Sequence, residues 1–226
     1  MVANLITLAR VALLFVGIAM LYSSSYTVVL FAVGLLLIVF VGDAVDGIVA
    51  RRAGQATAFG AILDIAGDRV VENALWIVFA DLGLIGVWAP LLVVTRGFLV
   101  DALRSVALNQ GKTPFGEQTM ARTTLTRFLT ASRFMRALYG VAKLLAFAFL
   151  SGLVAARHAP SGNDPLHALY TVAGFTTVGW VTVYVTLALV VVRGLPVLVD
   201  ALPYIQHINR ADPPQSENPA ASTRLR

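Results

Sequence analysis

The sequence predicts an all-α fold, an integral membrane bundle of six transmembrane helices with one additional interfacial helix. The 226-residue chain is 58% hydrophobic and only 13% charged, whereas soluble domains carry about 25% charged residues. Its mean hydropathy is +0.80. A membrane-spanning helix needs about 20 mostly apolar residues. Six segments meet this criterion, at 5–22, 26–50, 59–80, 84–108, 134–156 and 168–192.

Each segment has its own support in the sequence. The first begins like a signal peptide, with Arg10 ahead of an apolar run, but no small-residue cleavage site follows, so we expect it to remain as a helix. The second and third are less apolar because each carries aspartates near one end. The fourth and fifth enclose Arg96 and Lys143, charges that must face a cavity or a partner. The sixth is a long apolar run.

Basic residues orient the bundle. Cytoplasmic loops carry an excess of Lys and Arg, and the chain has 17 of these residues. The three connections predicted on one face contain a single Lys or Arg residue, Arg157. The basic residues of the other face include Arg51, Arg52 and those in the stretch 112–136 and the C-terminal region. Both termini are therefore predicted to be cytoplasmic.

Two stretches lie outside the six segments. Residues 117–136 alternate basic with apolar side chains, which predicts an interfacial helix leading into the fifth segment. Its basic residues fit either a solvated face or a ligand site. Residues 211–226 are rich in Pro, Ser and Asn and predict a disordered cytoplasmic tail. Residues 1–210 then form one membrane domain.

Four aspartates stand out in the otherwise apolar stretch 41–70. Asp43 and Asp46 are three residues apart, and Asp64 and Asp68 are four apart, so each pair shares one face of its helix. If the second and third helices pack as an antiparallel hairpin, the two pairs face each other. Burying carboxylates in an apolar setting is costly, so this cluster needs a compensating partner.

Hard divalent cations are one such partner. Mg²⁺, Mn²⁺ and Ca²⁺ take oxygen ligands, and the chain has no cysteine for a softer metal. Four carboxylates can bridge two ions, the usual arrangement for displacement at phosphorus. Small residues beside the acids, Gly47, Ala50 and Gly60, would let a large ligand approach the backbone. A proton or cation pathway and a structural hydrogen-bonding role remain open on spacing alone.

The aspartates form part of a longer pattern. This window resembles the signature of the CDP-alcohol phosphotransferases in every fixed position and spacer, Asp43-x2-Asp46-Gly47-x2-Ala50-Arg51-x8-Gly60-x3-Asp64-x3-Asp68. The six-segment count and the N-terminal stretch from Asn4 to Arg10 are also similar to this family. A transporter would be expected to show acids at several depths or inverted repeats, and neither is found. A non-catalytic scaffold leaves the pattern unexplained.

The resemblance implies a membrane enzyme that moves a substituted phosphate from a CDP-linked donor to an alcohol and releases CMP. It implies that the four aspartates hold two metal ions, Mg²⁺ or Mn²⁺, with Asp68 also the general base; a pure ligand role for Asp68 is the alternative. It also implies a bacterial-type cytoplasmic membrane, a homodimer and no nucleic-acid partner. The residues implied to contact the cytidine diphosphate are Gly47, Ala50, Arg51 and Gly60, with Asn4 and Thr7 as further candidates.

The stretch 95–112 is similar to bacterial phosphatidylglycerophosphate synthases, which implies CDP-diacylglycerol as donor and glycerol 3-phosphate as acceptor. Such an acceptor requires a cationic pocket, for which the candidates are Arg96, Arg104, Lys112, Arg133, Arg136 and Lys143. Two features depart from that subfamily: Gly97 replaces an acid, and 132–143 is only loosely similar. Inositol phosphate, another polyol phosphate, serine or a phospholipid are the alternative acceptors.

Overall fold

The computed structural model describes residues 2–52, 58–109, 124–160 and 164–211, and within these ranges every regular element is an α-helix. Side chains are described there except at 2–3, 43–52, 58–59, 61, 104, 106–109, 124–125, 127, 131 and 201–211. The helices are α1 (Val2–Leu21), α2 (Tyr26–Arg52), α3 (Ala58–Asp81), α4 (Trp88–Asn109), α5 (Thr124–Ala131), α6 (Arg133–His158), α7 (Pro165–Thr171) and α8 (Ala173–Ala211).

Length and composition mark several helices as membrane helices. Among the described residues, three helices are long and apolar enough to cross a bilayer, over Asn4–Leu21, Arg133–His158 and Ala173–Asp200, and Tyr26–Gly42 is a shorter apolar helix. Helices α3 and α4 correspond to the predicted third and fourth segments but carry the acids and arginines described below. The all-α class and the membrane character are therefore confirmed, whereas the number of spanning helices stays a prediction.

Contacts between helices arrange the bundle around α1, α3 and α6. Helix α1 packs against α2 and α3, α6 packs against α2 and α8, and α4 bridges α3 and α8. The apolar core lies beyond Asp68 along α3, where Phe147 of α6 meets Trp76 and Phe79 at ring-centroid distances of 5.1 and 5.8 Å. This aromatic contact fixes α6 beside α3 and so determines which α6 side chains face the aspartates.

The outer surface is apolar, as a lipid-facing surface would be. Phe31 and Ile38 on α2 are 69% and 63% exposed, and Phe98 on α4 is 70% exposed. Soluble proteins rarely leave so many large apolar side chains exposed. The described helices therefore present apolar side chains outward and keep most charged ones between helices.

Two predicted boundaries differ from the structure. The predicted sixth segment, 168–192, is divided at Val172 into α7 and the much longer α8; Asp164 caps α7 and Pro165 occupies its first turn, a favoured helix start. The described part of the predicted interfacial stretch is also divided. Helix α5 ends at Ala131, and Ser132 caps α6 by accepting a hydrogen bond from the Met135 amide at 3.1 Å. Residues 117–123 and the tail beyond Ala211 lie outside the described part.

Candidate active site

A close approach between α1 and α3 builds the first part of the site. A methyl group in place of hydrogen at Gly67 would lie 2.8 Å from Cγ2 of Thr7, closer than side-chain carbons normally come. A larger residue at position 67 would therefore require the Thr7 side chain or one of the two helices to shift. Thr7 is 5% exposed and therefore buried against α3. The contact brings the next turn of α1, which carries Arg10, against the aspartates of α3.

Arg10 forms an ion pair with Asp68. Its Nη2 atom donates a hydrogen bond to Oδ1 of Asp68 at 2.9 Å and lies 3.9 Å from Oδ1 of Asp64. The Arg10 side chain is 4% exposed, whereas Asp64 and Asp68 are 47% and 43% exposed. A charge-assisted hydrogen bond of this kind holds a carboxylate in one orientation. Arg10 thus holds one oxygen of Asp68, a carboxylate that is partly exposed.

The exposed carboxylates fit a divalent cation. Asp64 and Asp68 present oxygen atoms from one stripe of α3, and Mg²⁺ or Mn²⁺ prefers such ligands. Among the described side chains no three metal-binding residues come together. The other aspartates of the predicted set, Asp43 and Asp46, lie outside the described side chains. That Asp43 and Asp46 face Asp64 and Asp68 therefore stays a prediction.

A cavity of about 300 Å³ opens beside Asp68. Its polar lining comes from Arg10, Asp68 and Lys143, and its apolar lining includes Phe40 and Leu144. The cavity thus joins a carboxylate on α3 to an ammonium group on α6. A small molecule with a hydroxyl group at one end and an anion at the other would find a complementary group for each.

A second polar cluster lies one turn beyond Asp68 on α3. Glu72, only 5% exposed, accepts a hydrogen bond from the Tyr139 hydroxyl, and its Oε2 atom lies 3.7 Å from Nζ of Lys143 and 3.8 Å from Nη1 of Arg69. Arg69 also donates two hydrogen bonds to Asp101, at 2.9 and 3.0 Å. The cluster joins α3, α4 and α6, and Glu72 is its contact with Lys143, which lines the cavity.

Arg96 lies near the same cluster, but its guanidinium group is less completely paired than that of Arg69. It is within electrostatic range of Glu72, Asp101 and Tyr139, but its buried Nε atom has no hydrogen-bond partner among the described residues. Gly194 on α8 makes room for it, because a Cβ atom there would lie 2.7 Å from Cγ of Arg96. An incompletely paired guanidinium inside the bundle is suited to an anion.

The predicted acceptor cations do not form one group. Lys143 and Arg96 lie inside the bundle, whereas Arg133 and Arg136 are exposed in the first turn of α6, about 10 to 15 Å along the axis from Lys143. The Arg104 side chain and Lys112 lie outside the described part. Of the predicted acceptor cations whose side chains are described, Lys143 and Arg96 thus lie within the bundle.

The predicted nucleotide residues are only partly described. Asn4 is half-buried in the first turn of α1, Thr7 is buried against Gly67, and Gly60 lies one turn before Asp64 at the start of α3. The side chains at 47, 50 and 51 lie outside the described part. None of these positions is tested as a cytidine diphosphate contact, and each stays a prediction.

Sequence reasoning missed two charged residues of the site. Arg10 looked like the basic flank of an apolar run, yet a charge eight residues into a membrane helix needs a partner. Glu72 continues the four-residue spacing of Asp64 and Asp68 and would share their helix face. Both signals are present in the sequence, although neither identifies which residue each side chain contacts.

Comparisons with known proteins agree with this geometry. A profile of the CDP-alcohol phosphatidyltransferase family matches residues 1–192. The chain is 31% identical over 117 residues to a probable phosphatidylglycerophosphate synthase of Mycobacterium tuberculosis, covering 50% of this chain and 55% of that one. It is 32% identical over 78 residues to the CDP-diacylglycerol–glycerol-3-phosphate 3-phosphatidyltransferase of Bacillus subtilis, covering 34% and 40%.

A third relative extends the match. The protein of the same name from Rickettsia bellii is 29% identical over 126 residues, covering 55% of this chain and 70% of that one. The chain spans about half the length of the first curated relatives it matches. The family profile, in contrast, covers most of the chain and both helices that carry the aspartates. The chain therefore belongs to the CDP-alcohol phosphatidyltransferase family.

Proposed function

We propose that this protein transfers the phosphatidyl group of CDP-diacylglycerol to a phosphorylated alcohol, with glycerol 3-phosphate the best candidate, and releases CMP. The observation that carries the proposal is a cavity that both Asp68 and Lys143 line. Family membership supplies the reaction class. The cavity adds a place where a hydroxyl group and a phosphate of one molecule could be held together.

Two divalent ions complete this site in the proposal. Asp43, Asp46, Asp64 and Asp68 would hold Mg²⁺ or Mn²⁺, which would neutralise the donor diphosphate and favour departure of CMP. The half-exposed oxygens of Asp64 and Asp68 support this assignment. The motif residues Gly47, Ala50, Arg51 and Gly60, together with Asn4 and Thr7, would contact the cytidine diphosphate.

Asp68 acts as general base in this proposal. The acceptor hydroxyl oxygen forms the new bond to the phosphatidyl phosphorus, the bond to the CMP phosphate breaks, and the hydroxyl proton passes to Asp68. Arg10 keeps the Asp68 carboxylate aimed along one direction through its 2.9 Å hydrogen bond. A fixed base is worth more than a mobile one because proton transfer requires alignment.

The cations favour a phosphorylated acceptor. Lys143 lines the cavity, and Arg96 adds an incompletely paired guanidinium nearby. Serine or choline would require an anionic or aromatic subsite instead. Inositol phosphate or another polyol phosphate uses the same cations, so these acceptors are the first alternatives. The exposed Arg133 and Arg136, with Arg104 and Lys112, would guide the anion toward the cavity.

The proposal also includes the membrane arrangement. Six helices, α1, α2, α3, α4, α6 and α8, would span the bilayer, with the active site and both termini on the cytoplasmic side. Residues 1–210 would form the catalytic domain and 211–226 a disordered tail. The basic residues counted above support this orientation. A homodimer is proposed by family analogy alone.

An acceptor panel tests the function. Purified protein with Mg²⁺ or Mn²⁺ and CDP-diacylglycerol is expected to release CMP when glycerol 3-phosphate is added, and much less with serine or inositol. CMP release only with inositol phosphate would retain the family activity and refute the proposed acceptor. No release with any alcohol would refute the enzymatic proposal. The Asp68→Asn variant is the matched control, because it keeps the shape of the side chain and removes the base.

A further inference from the structure

We infer that Glu72 is a positioning residue for acceptor binding, because it holds the Lys143 ammonium group at the cavity wall. This inference rests on the proposed function and assigns a role within the same site. The Lys143 side chain is 20% exposed and Glu72 only 5%, so the pair lies at the junction between the open cavity and the buried bundle. Lysine has four rotatable methylene groups, and an anchor is needed to keep its charge in one place.

The surroundings of Glu72 explain why it can act as that anchor. Its Oε1 atom accepts the Tyr139 hydroxyl hydrogen bond, and its Oε2 atom lies 3.7 Å from Lys143 and 3.8 Å from Arg69. One oxygen is thus occupied by a neutral donor and the other faces two cations. A buried carboxylate paired in this way has little freedom to rotate.

Helix α6 reinforces the arrangement. Tyr139 and Lys143 are four residues apart and so share one face of the helix, and the Lys143 Nζ atom lies 5.7 Å from the centroid of the Tyr139 ring. Arg193 of α8 approaches the same ring at 5.0 Å. The Tyr139 ring therefore lies within reach of both cations, and its contact with Lys143 adds to the contact of Lys143 with Glu72.

The position along α3 relates Glu72 to the reaction. Glu72 follows Asp68 by four residues, which corresponds to about 6 Å along the helix axis. An ammonium group held at Glu72 is therefore one turn from the proposed base. A short alcohol phosphate, with its hydroxyl group at Asp68 and its phosphate at Lys143, spans that offset. Without Glu72, the ammonium group is free to move toward Asp68, which lines the same cavity.

Steady-state kinetics with a double-mutant cycle tests the inference. Glu72→Gln removes the charge and keeps the shape, and we expect it to raise the KM for glycerol 3-phosphate about tenfold. The KM for CDP-diacylglycerol and the kcat should change by less than about twofold, because neither depends on Lys143 in this scheme. Glu72→Asp keeps the charge but withdraws it by one methylene group, so its acceptor KM should rise about threefold.

The Lys143→Ala background separates positioning from general support of the fold. If Glu72 acts through Lys143, the Glu72→Gln change should raise the acceptor KM no further in Lys143→Ala protein. Asp101→Asn is the matched control, since it removes the other acid of the cluster, which contacts Arg69 rather than Lys143. Its acceptor KM should stay within about twofold of wild type.

Several results would overturn the inference. They are an unchanged acceptor KM in Glu72→Gln, a full additional effect of that change in Lys143→Ala, or an equal rise in Asp101→Asn. If Glu72→Gln does not elute as a folded protein in size-exclusion chromatography, an unchanged acceptor KM in Glu72→Asp overturns it equally. Wild-type protein that releases no CMP with any phosphorylated alcohol would refute the proposed function itself, whereas the outcomes above would refute only the role of Glu72.

Discussion

Arg10 shows how a single residue changes the interpretation of the aspartates. The sequence places Arg69 directly after Asp68, and proximity favours that pair as partners. The structure instead directs Arg69 to Asp101 and brings Arg10 from α1 to Asp68 at 2.9 Å. Side chains at adjacent helix positions point in different directions, so a charged residue on a helix rarely pairs with its direct neighbour in the sequence. The cation beside the proposed base therefore comes from 58 residues earlier in the chain.

Replacing Arg10 should impair turnover more than stability. In Arg10→Ala, the half-exposed Asp68 can be solvated by water, so the cost to the fold is small, but the carboxylate loses its fixed orientation. We expect the rate of CMP release to fall about tenfold, the value of one charge-assisted hydrogen bond. Arg10→Lys, which keeps the charge without the planar fork, should retain an intermediate rate. A wild-type rate in Arg10→Ala would show that Asp68 needs no such support.

At the scale of helices, the contact between α1 and α3 controls the site. Thr7 and Gly67 meet so closely that any larger residue at 67 must displace the Thr7 side chain or one of the helices. Arg10 lies one turn after Thr7 on α1, and its partner Asp68 directly follows Gly67 on α3. A substitution that separates α1 from α3 should therefore displace the aspartates although the aspartates themselves are unchanged.

Gly67→Ala tests this coupling. The new methyl group would lie 2.8 Å from Cγ2 of Thr7, and such overpacking costs about 1 to 3 kcal/mol. We expect a lower thermal midpoint in detergent together with slower CMP release. Thr7→Ser removes the opposing methyl group, and the double variant should recover both properties.

The matched control for that experiment is Gly34→Ala on α2. A Cβ atom at position 34 meets no heavy atom within 4 Å, so this variant makes the same chemical change in open space. Its thermal midpoint and rate should match those of wild type. Equal effects in the two variants would mean that the loss of glycine, rather than the contact between α1 and α3, is responsible.

The elements were easier to predict from the sequence than their contacts. Apolar length located α1, α2, α3, α4 and α6 within a few residues, because a membrane helix is defined by composition. It missed the division between α7 and α8 at Val172, since residues 169–175 include no charge and no proline and only the Asp164 cap and Pro165 indicate a separate helix. Arg96 and Lys143 lie inside the bundle, as their positions within apolar segments predict. The pairing of Lys143 with Glu72, in contrast, depends on how α3 and α6 pack.

For the whole molecule, the main open prediction is its orientation in the membrane. The chain has no cysteine, so a single introduced thiol reports its own side of the bilayer. Ser216→Cys in the C-terminal region should be labelled by an impermeant maleimide only after cells are opened. Ser161→Cys, in the connection after α6, should be labelled in intact cells. The reverse pattern would place the aspartates on the outer face, where CDP-diacylglycerol would have to reach them from the other leaflet.

The ion pair between Arg10 and Asp68 also has a consequence for biosynthesis. Arg10 is made 58 residues before its partner, and ribosomes add about 5 to 20 residues per second. For several seconds, then, α1 carries the Arg10 guanidinium group before Asp68 has been made. During that interval the side chain can extend to the cytoplasmic interface. The contact between Arg10 and Asp68 therefore forms only when α3 is inserted, so the arrival of the third helix completes this part of the site.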